Sequence, residues 1–114
     1  MRERRGLGEF QLLVLAAIKI LGSEAYGPAI HDQIAKLDGG LRSEVASATY
    51  ITLERLQTSG LVAARMGEPT PVRGGRAKRF FKLTKEGCAA LRSWVKLAED
   101  VLVGLEIAKQ RGRK

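Results

Sequence analysis

The chain has 114 residues, which is the size of one domain with a modest core, close to the size at which small domains rely on a partner. Twenty lysines and arginines against twelve acidic residues give a formal net charge of +8, the electrostatic profile of a protein that meets polyanions. One cysteine and one histidine exclude an intrachain disulfide, leave no cluster with metal-ligand spacing and provide no catalytic constellation, so we expect no enzymatic activity and no cofactor.

The N-terminal stretch MRERR followed by FQLLVLAAIKIL is similar to the charged and apolar parts of an export signal. Glu9, Gln11 and Lys19 interrupt the apolar run, which is also too short to span a hydrocarbon layer of about 30 Å. The single cysteine fits a reducing compartment. We therefore expect a cytoplasmic protein without a membrane partner.

The first predicted element is a buried helix from Leu7 to Leu21, ended by Gly22. Apolar residues recur along it at steps of three and four, and further apolar side chains widen this surface beyond one stripe. A helix that is apolar on most sides must be covered on most sides. We expect the domain core to cover one side and a second chain or a distant helix to cover another.

A second helix is predicted in EAYGPAIHDQIAKLDGG, with Gly27 and Pro28 at its entrance and Gly39 and Gly40 at its end. Its apolar face consists of Ala29, Ile30, Ile34 and Leu37. His31 lies outside that face. We expect it to be a solvated helix residue rather than a ligand or a general base.

The segment SEVASATYITLERLQTSG predicts a third helix, with Ser43 or Ser47 as its N-cap and Gly60 as its terminator. On a helical projection one side consists of Ala46, Tyr50, Leu53, Leu56 and Gln57, and the other of Ser47, Ala48, Ile51 and Arg55. The second side is small near its start and carries a cation one turn later. Such a face, after a short helix and a tight connection, is typical of a recognition helix in a major groove. An ordinary surface helix is the alternative.

GLVAARMG and RFFKL alternate apolar and polar residues on either side of EPTPVRGGRAK, which predicts a β-hairpin with an extended tip. Phe81 and Leu83 share one face and would anchor the second strand to the core. The cations carried on the tip are Arg73, Arg76 and Lys78, with Arg79 as a further candidate. Beside a recognition helix, such a tip is a wing for backbone phosphates or a minor groove. A basic solvated turn is the alternative.

A final helix is predicted from Lys85 to about Lys109, with Thr84 as its cap. Its apolar residues form a near-heptad seam of Leu91, Trp94, Ala98, Val101, Leu105 and Ala108. We expect this seam to pair across a homodimer, with the first helix, including Phe10, as its other partner. Packing of the seam against its own chain is the alternative.

Together these elements predict a mainly α protein with a small β-hairpin: a winged helix-turn-helix over residues 1–84, a dimerisation helix over 85–109 and a basic tail over 110–114. The sequence resembles the PadR family of bacterial transcriptional regulators, particularly its short members. The resemblance lies in LGEFQLLVLAAI, AYGPAI, TYITLERLQTSGLV and GEPTPVRGGRAKRFFKLTKEG, which follow the order of the family. The wing stretch RGGRAKRFFKLT is its most specific part.

The resemblance implies a dimeric repressor that binds palindromic double-stranded promoter DNA and is released by a ligand or a stress signal. It places Tyr50 on the DNA backbone, the first turns of the third helix at base edges, and Arg76 and Lys78 on phosphates or in a minor groove. A packing role is the alternative for Tyr50, because the helical projection places it on the apolar, covered side. Pro28 and Thr49 depart from the family pattern, and Thr49 bears on the start and packing of the recognition helix.

Trp94 is a ligand candidate by resemblance, because some short family members bind flat hydrophobic compounds between their subunits, although simple interface packing is the preferred interpretation. Cys88 is expected to be a small, buried or half-buried residue. A non-specific nucleic-acid binder and a protein-interaction adaptor are the alternative functions, since basic charge alone gives affinity without specificity.

Overall fold

A computed structural model of the chain describes residues 7–39, 46–67 and 78–112. Within these ranges the order of elements is α1 (Glu9–Leu21), a 3₁₀ turn (Gly22–Glu24), α2 (Gly27–Leu37), α3 (Ala46–Thr58), β1 (Val62–Met66), β2 (Arg79–Leu83) and α4 (Lys85–Arg111). The two strands form one antiparallel sheet. The predicted fold class, a winged helix-turn-helix followed by a long C-terminal helix, is confirmed.

Helix α1 is the centre of the core, as its broad apolar surface predicted. Val14, Leu15 and Ala17 are completely buried, and α1 packs against α2, α3, β2 and α4. The other helices and the hairpin each direct one apolar face at it, so that the buried cluster also includes Ile30, Ile34, Leu53, Leu56, Val62 and Phe81. The three helices and the hairpin therefore share a single core.

The element boundaries follow local chemistry. Gly22 and Gly60 have φ values of +60° and +80°, a conformation that side chains with a Cβ rarely adopt, and they lie where α1 and α3 end. Pro28 occupies the first turn of α2, where its missing N–H costs no helical bond. Helix α1 begins at Glu9, two residues after the predicted start at Leu7.

The hairpin is fastened to the helices by main-chain hydrogen bonds. Its register pairs Val62 with Leu83 and Ala64 with Phe81, so the two predicted anchors of β2 face the core, Phe81 buried and Leu83 half-buried. The Phe81 N–H donates to the carbonyl of Ala25 at 2.8 Å, and Tyr26 forms a bridge with Phe80. The two residues before α2 therefore extend the hydrogen bonding of the hairpin by one bridge and fix the hairpin to the helices.

Helix α4 begins with a cap and a close backbone contact. The hydroxyl of Thr84 accepts a hydrogen bond from the Gly87 N–H at 3.0 Å and donates to the Gly60 carbonyl at 2.6 Å. A Cβ at Gly87 would overlap the carbonyl oxygen of Leu61, so the absence of a side chain lets the helix lie directly on the chain before β1.

The predicted placement of His31 is wrong, and one of the two suggested caps of α3 is excluded. His31 is half-buried rather than solvated, because its Nδ1 forms a 3.2 Å hydrogen bond with the hydroxyl of Thr49, which is completely buried. Ser47 lies inside α3 and is not its N-cap. The other suggested cap, Ser43, and the predicted terminator Gly40 lie outside the described residues.

Candidate nucleic-acid interface

The exposed face of α3 is the first part of the candidate interface. Its core side consists of Thr49, Thr52, Leu53 and Leu56, all buried, and its outer side of Ser47, Tyr50, Ile51, Glu54, Arg55 and Thr58, all exposed. Ser47 and Arg55 therefore lie on the outer side, as the sequence predicted. Tyr50 does not lie on the covered side suggested by the projection, because two threonines rather than Tyr50 complete the buried face.

Tyr50 lies against the first residue of α2. A Cβ at Gly27 would overlap the Tyr50 ring and hydroxyl, so this glycine allows the ring to rest on the start of the neighbouring helix. The Tyr50 side chain is nevertheless 42% exposed. Its hydroxyl is therefore held near the N-terminus of α2, where main-chain N–H groups favour an anion.

Lys78 lies at the base of the wing, in the same depression as Tyr50 and Tyr26. The hairpin ladder continues past the strands through a 2.6 Å hydrogen bond from the Gly67 N–H to the Lys78 carbonyl. The Lys78 ammonium is 4.5 Å from the ring centroid of Tyr26, a cation–π distance. Because this contact leaves the ammonium exposed, Lys78 is both positioned and available to an anion.

A second ring and a second cation continue this arrangement along the hairpin. The Tyr26 and Phe80 ring centroids are 5.7 Å apart, and the Arg65 guanidinium is 4.7 Å from the Phe80 centroid. Sequence reasoning assigned no function to Tyr26 or Arg65. The only available signal was a tyrosine before Gly-Pro, and its partner in the fold is 54 residues away along the chain, as the Tyr26–Phe80 bridge shows.

Arg79 connects the wing to the recognition helix rather than projecting freely as a tip cation. Its Nη1 donates to the Glu54 carboxylate at 3.0 Å and its Nη2 donates to the Gln57 side-chain oxygen at 2.7 Å. Its guanidinium also lies 5.2 Å from the centroid of the Phe81 ring. The bridge neutralises the carboxylate on the outer side of α3 and fixes the angle between that helix and the hairpin.

A depression of about 270 Å³ lies between these elements. Its lining consists of Tyr26, Gly27, Pro28, Tyr50, Lys78, Arg79 and Phe81. Two phenol hydroxyls, an ammonium group and the start of a helix are suited to one phosphate group. The outer face of α3, this depression and the wing base thus form one continuous surface.

Two predicted wing residues, Arg73 and Arg76, lie outside the described residues. The predicted interface residues of α4 and α1 are described. Leu91, Trp94 and Phe10 are half-buried and pack against the core of their own chain, and Ala98 is also half-buried. Val101 and Leu105 are 50% and 61% exposed, so the outer half of the seam is open to solvent in the single chain. The inner half of the seam, Leu91 and Trp94, thus packs against its own chain, which is the alternative interpretation given for the seam.

Within the described ranges, no three His, Cys, Asp or Glu residues lie close enough together to hold a metal ion. No helix in those same ranges is long and apolar enough to cross a membrane. Cys88 is half-buried, as expected.

Comparison with known proteins gives a family match. The profile of the transcriptional regulator PadR-like family matches residues 14–93, which is most of the chain. Among curated protein sequences none is significantly similar to this chain. The solved structure of a PadR family transcription regulator from Clostridium difficile R20291 has a TM-score of 0.63 and 21% identity, covering 92% of this chain and 100% of that chain.

Two further solved structures are similar. Bacillus subtilis PadR in complex with operator DNA has a TM-score of 0.62 and 21% identity, covering 75% of this chain and 46% of that chain. Bordetella bronchiseptica BpsR, whose DNA binding is regulated by 6-hydroxynicotinic acid, has a TM-score of 0.63 and 22% identity, covering 86% of this chain and 64% of that chain. At these identities the similarity is one of fold.

Proposed function

Because the chain belongs to the transcriptional regulator PadR-like family, we propose that it is a dimeric, sequence-specific DNA-binding repressor that a ligand or a stress signal releases from a palindromic promoter site. The observation that carries this proposal is the continuous surface formed by the outer side of α3, the depression beside Tyr50 and the wing base at Lys78. This surface combines a helix that fits a major groove with cations for the flanking phosphates.

The residues of this surface have different roles in the proposal. Ser47 and Arg55 reach base edges from α3, while Tyr50 and Lys78 hold a backbone phosphate in the depression. Arg73 and Arg76 extend the contact along the wing to phosphates or a minor groove. Phosphate contacts fix the register of the protein on the duplex, and only the base contacts distinguish sequences.

The proposed roles predict different losses. Lys78→Ala should weaken binding to all sequences alike and lower the slope of log affinity against log salt by about one, whereas Arg55→Ala should cost about 1–3 kcal/mol on the operator only. Equal losses on operator and random DNA for Arg55→Ala would make it a backbone contact. Double replacement of Arg76 and Lys78 by Glu should abolish binding, and intact binding would exclude the wing from the interface.

Dimerisation through α4 is proposed from its unpartnered apolar surface. Val101 and Leu105 continue the seam beyond the core, and their exposure suits a second copy of the helix. A dimer would present two recognition helices to half-sites about 34–36 Å apart, which is the reason for proposing a palindromic site.

Leu105→Glu tests this seam, with Val103→Glu as a matched control. The two residues are 61% and 60% exposed in the single chain, but they lie about 200° apart around the helix axis. We expect Leu105→Glu to give a monomer with weakened operator binding and Val103→Glu to remain dimeric, as measured by analytical ultracentrifugation. A stable Leu105→Glu dimer would place the interface elsewhere.

The whole proposal is tested by binding of the purified protein, at near-physiological salt, to DNA upstream of its own gene and to a scrambled duplex of equal length. We expect a preference of about a thousandfold or more, with two protomers bound per site. Equal affinity for both duplexes, and for DNA selected by the protein from random sequences, would instead support a non-specific nucleic-acid binder. The net charge of +8 also allows that function.

A further inference from the structure

A groove distinct from the DNA-facing surface runs between the end of α1, strand β2 and the first four turns of α4. It consists of two adjoining cavities of about 430 and 520 Å³, which share Lys19, Leu83 and Cys88 as lining residues. Cavities of this size are typical of small-molecule sites. Along α4 the groove extends from Cys88 to Glu99, a distance of about 16 Å.

The lining of the groove combines apolar side chains with cations. Ile18, Leu83, Leu91 and Val95 supply aliphatic surface, and Phe80 and Phe81 add aromatic surface in the smaller cavity only. The cations are Lys19, Arg65, Lys82, Arg92 and Lys96, against the single carboxylate of Glu99. This composition fits a ligand with an extended hydrocarbon part and a negative head group.

Three of these cations are available to a ligand. Lys96 donates to the Asp100 carboxylate at 3.0 Å, and this hydrogen bond raises the pKa of Lys96, so its charge already has a partner. Arg65 is stacked on the Phe80 ring. Among the described residues, Lys19, Lys82 and Arg92 have no such partner, and all three are exposed.

We propose that this groove binds a free linear acyl carboxylate, with its hydrocarbon chain along Leu83, Leu91 and Val95 and its carboxylate at Lys19, Lys82 or Arg92. Leu91 belongs to both the groove and the seam, so the two surfaces adjoin at that residue. Trp94 lines neither cavity, and Val95 and Glu99 lie about 100° and 140° from it around the α4 axis. The groove is therefore a different site from the flat-ligand candidate Trp94 that the family resemblance suggested.

The groove is linked to the DNA-facing surface through the Phe80 ring. Phe80 lines one of its cavities, and the Phe80 ring contacts Tyr26, whose ring holds the Lys78 ammonium. A ligand that displaces Phe80 would therefore move a proposed phosphate contact. This effector role rests on the proposed function, whereas binding in the groove does not.

Cys88 is the only cysteine of the chain and lines both cavities, so its alkylation by neutral N-ethylmaleimide reports directly on the groove. We expect sodium decanoate to slow the alkylation of Cys88 at least fivefold, and decylamine and decanol to have little effect at the same concentration. Octanoate, decanoate and dodecanoate should bind progressively more tightly, by about fourfold for each buried methylene. Absence of protection, or equal protection by the amine, would overturn the proposal.

Two lysines form a matched pair for the head-group contact. Lys19 and Lys36 are both exposed and both lie in the last turn of a helix, but only Lys19 lines the groove. Lys19→Glu should weaken decanoate protection at least fivefold, and Lys36→Glu should leave it unchanged. Equal effects of the two replacements would show a general charge effect and would contradict the site.

Other occupants give different results in the same assay. If a second copy of the chain covers the groove, Cys88 will react slowly without ligand and quickly in the Leu105→Glu variant, which would overturn the proposal. Vesicles of phosphatidylglycerol should not protect Cys88, and protection by them would assign the groove to a membrane surface rather than to a free acyl anion.

DNA binding separates failure of this inference from failure of the proposed function. Operator binding without ligand tests the proposed function alone. Saturating decanoate should then weaken operator binding at least tenfold in the wild type and in Lys36→Glu, but not in Lys19→Glu. Protection of Cys88 with unchanged DNA affinity would refute the effector role and leave the binding site in place.

Discussion

Gly87→Ala should destabilise the protein, although the same replacement inside an exposed helix is normally stabilising. The added Cβ would overlap the Leu61 carbonyl oxygen, and both groups belong to the backbone, so no side-chain rotation relieves the contact. Helix α4 would have to move away from the chain before β1. That movement would stretch the two hydrogen bonds from Thr84 to the Leu61 and Gly60 carbonyls, now 3.1 and 2.6 Å long.

The expected magnitude follows from three contributions. Overpacking costs about 1–3 kcal/mol, and weakening the two hydrogen bonds costs about 1–2 kcal/mol. The higher helix propensity of alanine returns about 1 kcal/mol. A net loss of about 2 kcal/mol, or a decrease in Tm of about 8 °C for a domain of this size, is therefore expected.

Gly104→Ala is the matched control in the same helix. Nothing lies within 4 Å of a Cβ at Gly104, so the propensity gain of about 0.5–1 kcal/mol is not opposed and Tm should rise by about 2–4 °C. Calorimetry at equal protomer concentration measures both variants, because the Tm of a dimer depends on concentration. A Gly87→Ala protein as stable as the wild type would refute the close backbone contact.

Three further predictions concern the links between elements. Gly27→Ala should displace the exposed Tyr50 ring but leave the free energy of unfolding within about 0.5 kcal/mol of the wild-type value. It should weaken DNA binding severalfold on every sequence, and unchanged affinity in a filter-binding assay would remove Tyr50 from the interface. Arg79→Ala should cost at most about 1 kcal/mol of stability, because its salt bridge to Glu54 is exposed. It should nevertheless weaken operator binding about tenfold, roughly 1.4 kcal/mol, because the angle between α3 and the hairpin is no longer fixed. A stability loss above about 2 kcal/mol would contradict this. His31→Ala should destabilise by about 1–3 kcal/mol, since it leaves the buried Thr49 hydroxyl unpaired, and adding Thr49→Val should restore part of the loss in thermal unfolding.

The elements themselves could be predicted from the sequence because their limits depend on local chemistry. Gly22 and Gly60 have a positive φ and end α1 and α3, and Pro28 occupies the first turn of α2. Thr84 caps α4 by accepting a hydrogen bond from the N–H of Gly87, three residues later. Each of these signals is contained in a few consecutive residues. The breadth of the apolar surface on α1 likewise indicated a helix covered on several sides.

The orientation of α3 was harder to predict, because hydropathy does not identify its buried face. Thr49 and Thr52 are buried, and the first of them is made compatible with the core by a hydrogen bond to His31. A projection that places apolar residues inside therefore turns Tyr50 towards the core. Only the helix packing shows that this ring lies at the exposed edge.

The contacts that define the candidate site were beyond sequence reasoning for a different reason. Arg79 reaches Glu54 from 25 residues away, and the Tyr26 ring receives Lys78 from a different part of the chain. A cation on a basic hairpin looks the same in sequence whether it contacts DNA or a carboxylate of its own chain. The fold decides between these roles by bringing particular partners within reach.

Selection of binding sites from random duplex DNA by the protein, at about 0.15 M salt, is the most direct test of sequence-specific DNA binding. We expect enrichment of a palindromic sequence whose half-sites are about one helical turn apart. We also expect two protomers bound per site and a preference of about a thousandfold or more over unselected DNA. A pool that shows no enriched sequence while the protein still binds every duplex alike would contradict sequence-specific regulation.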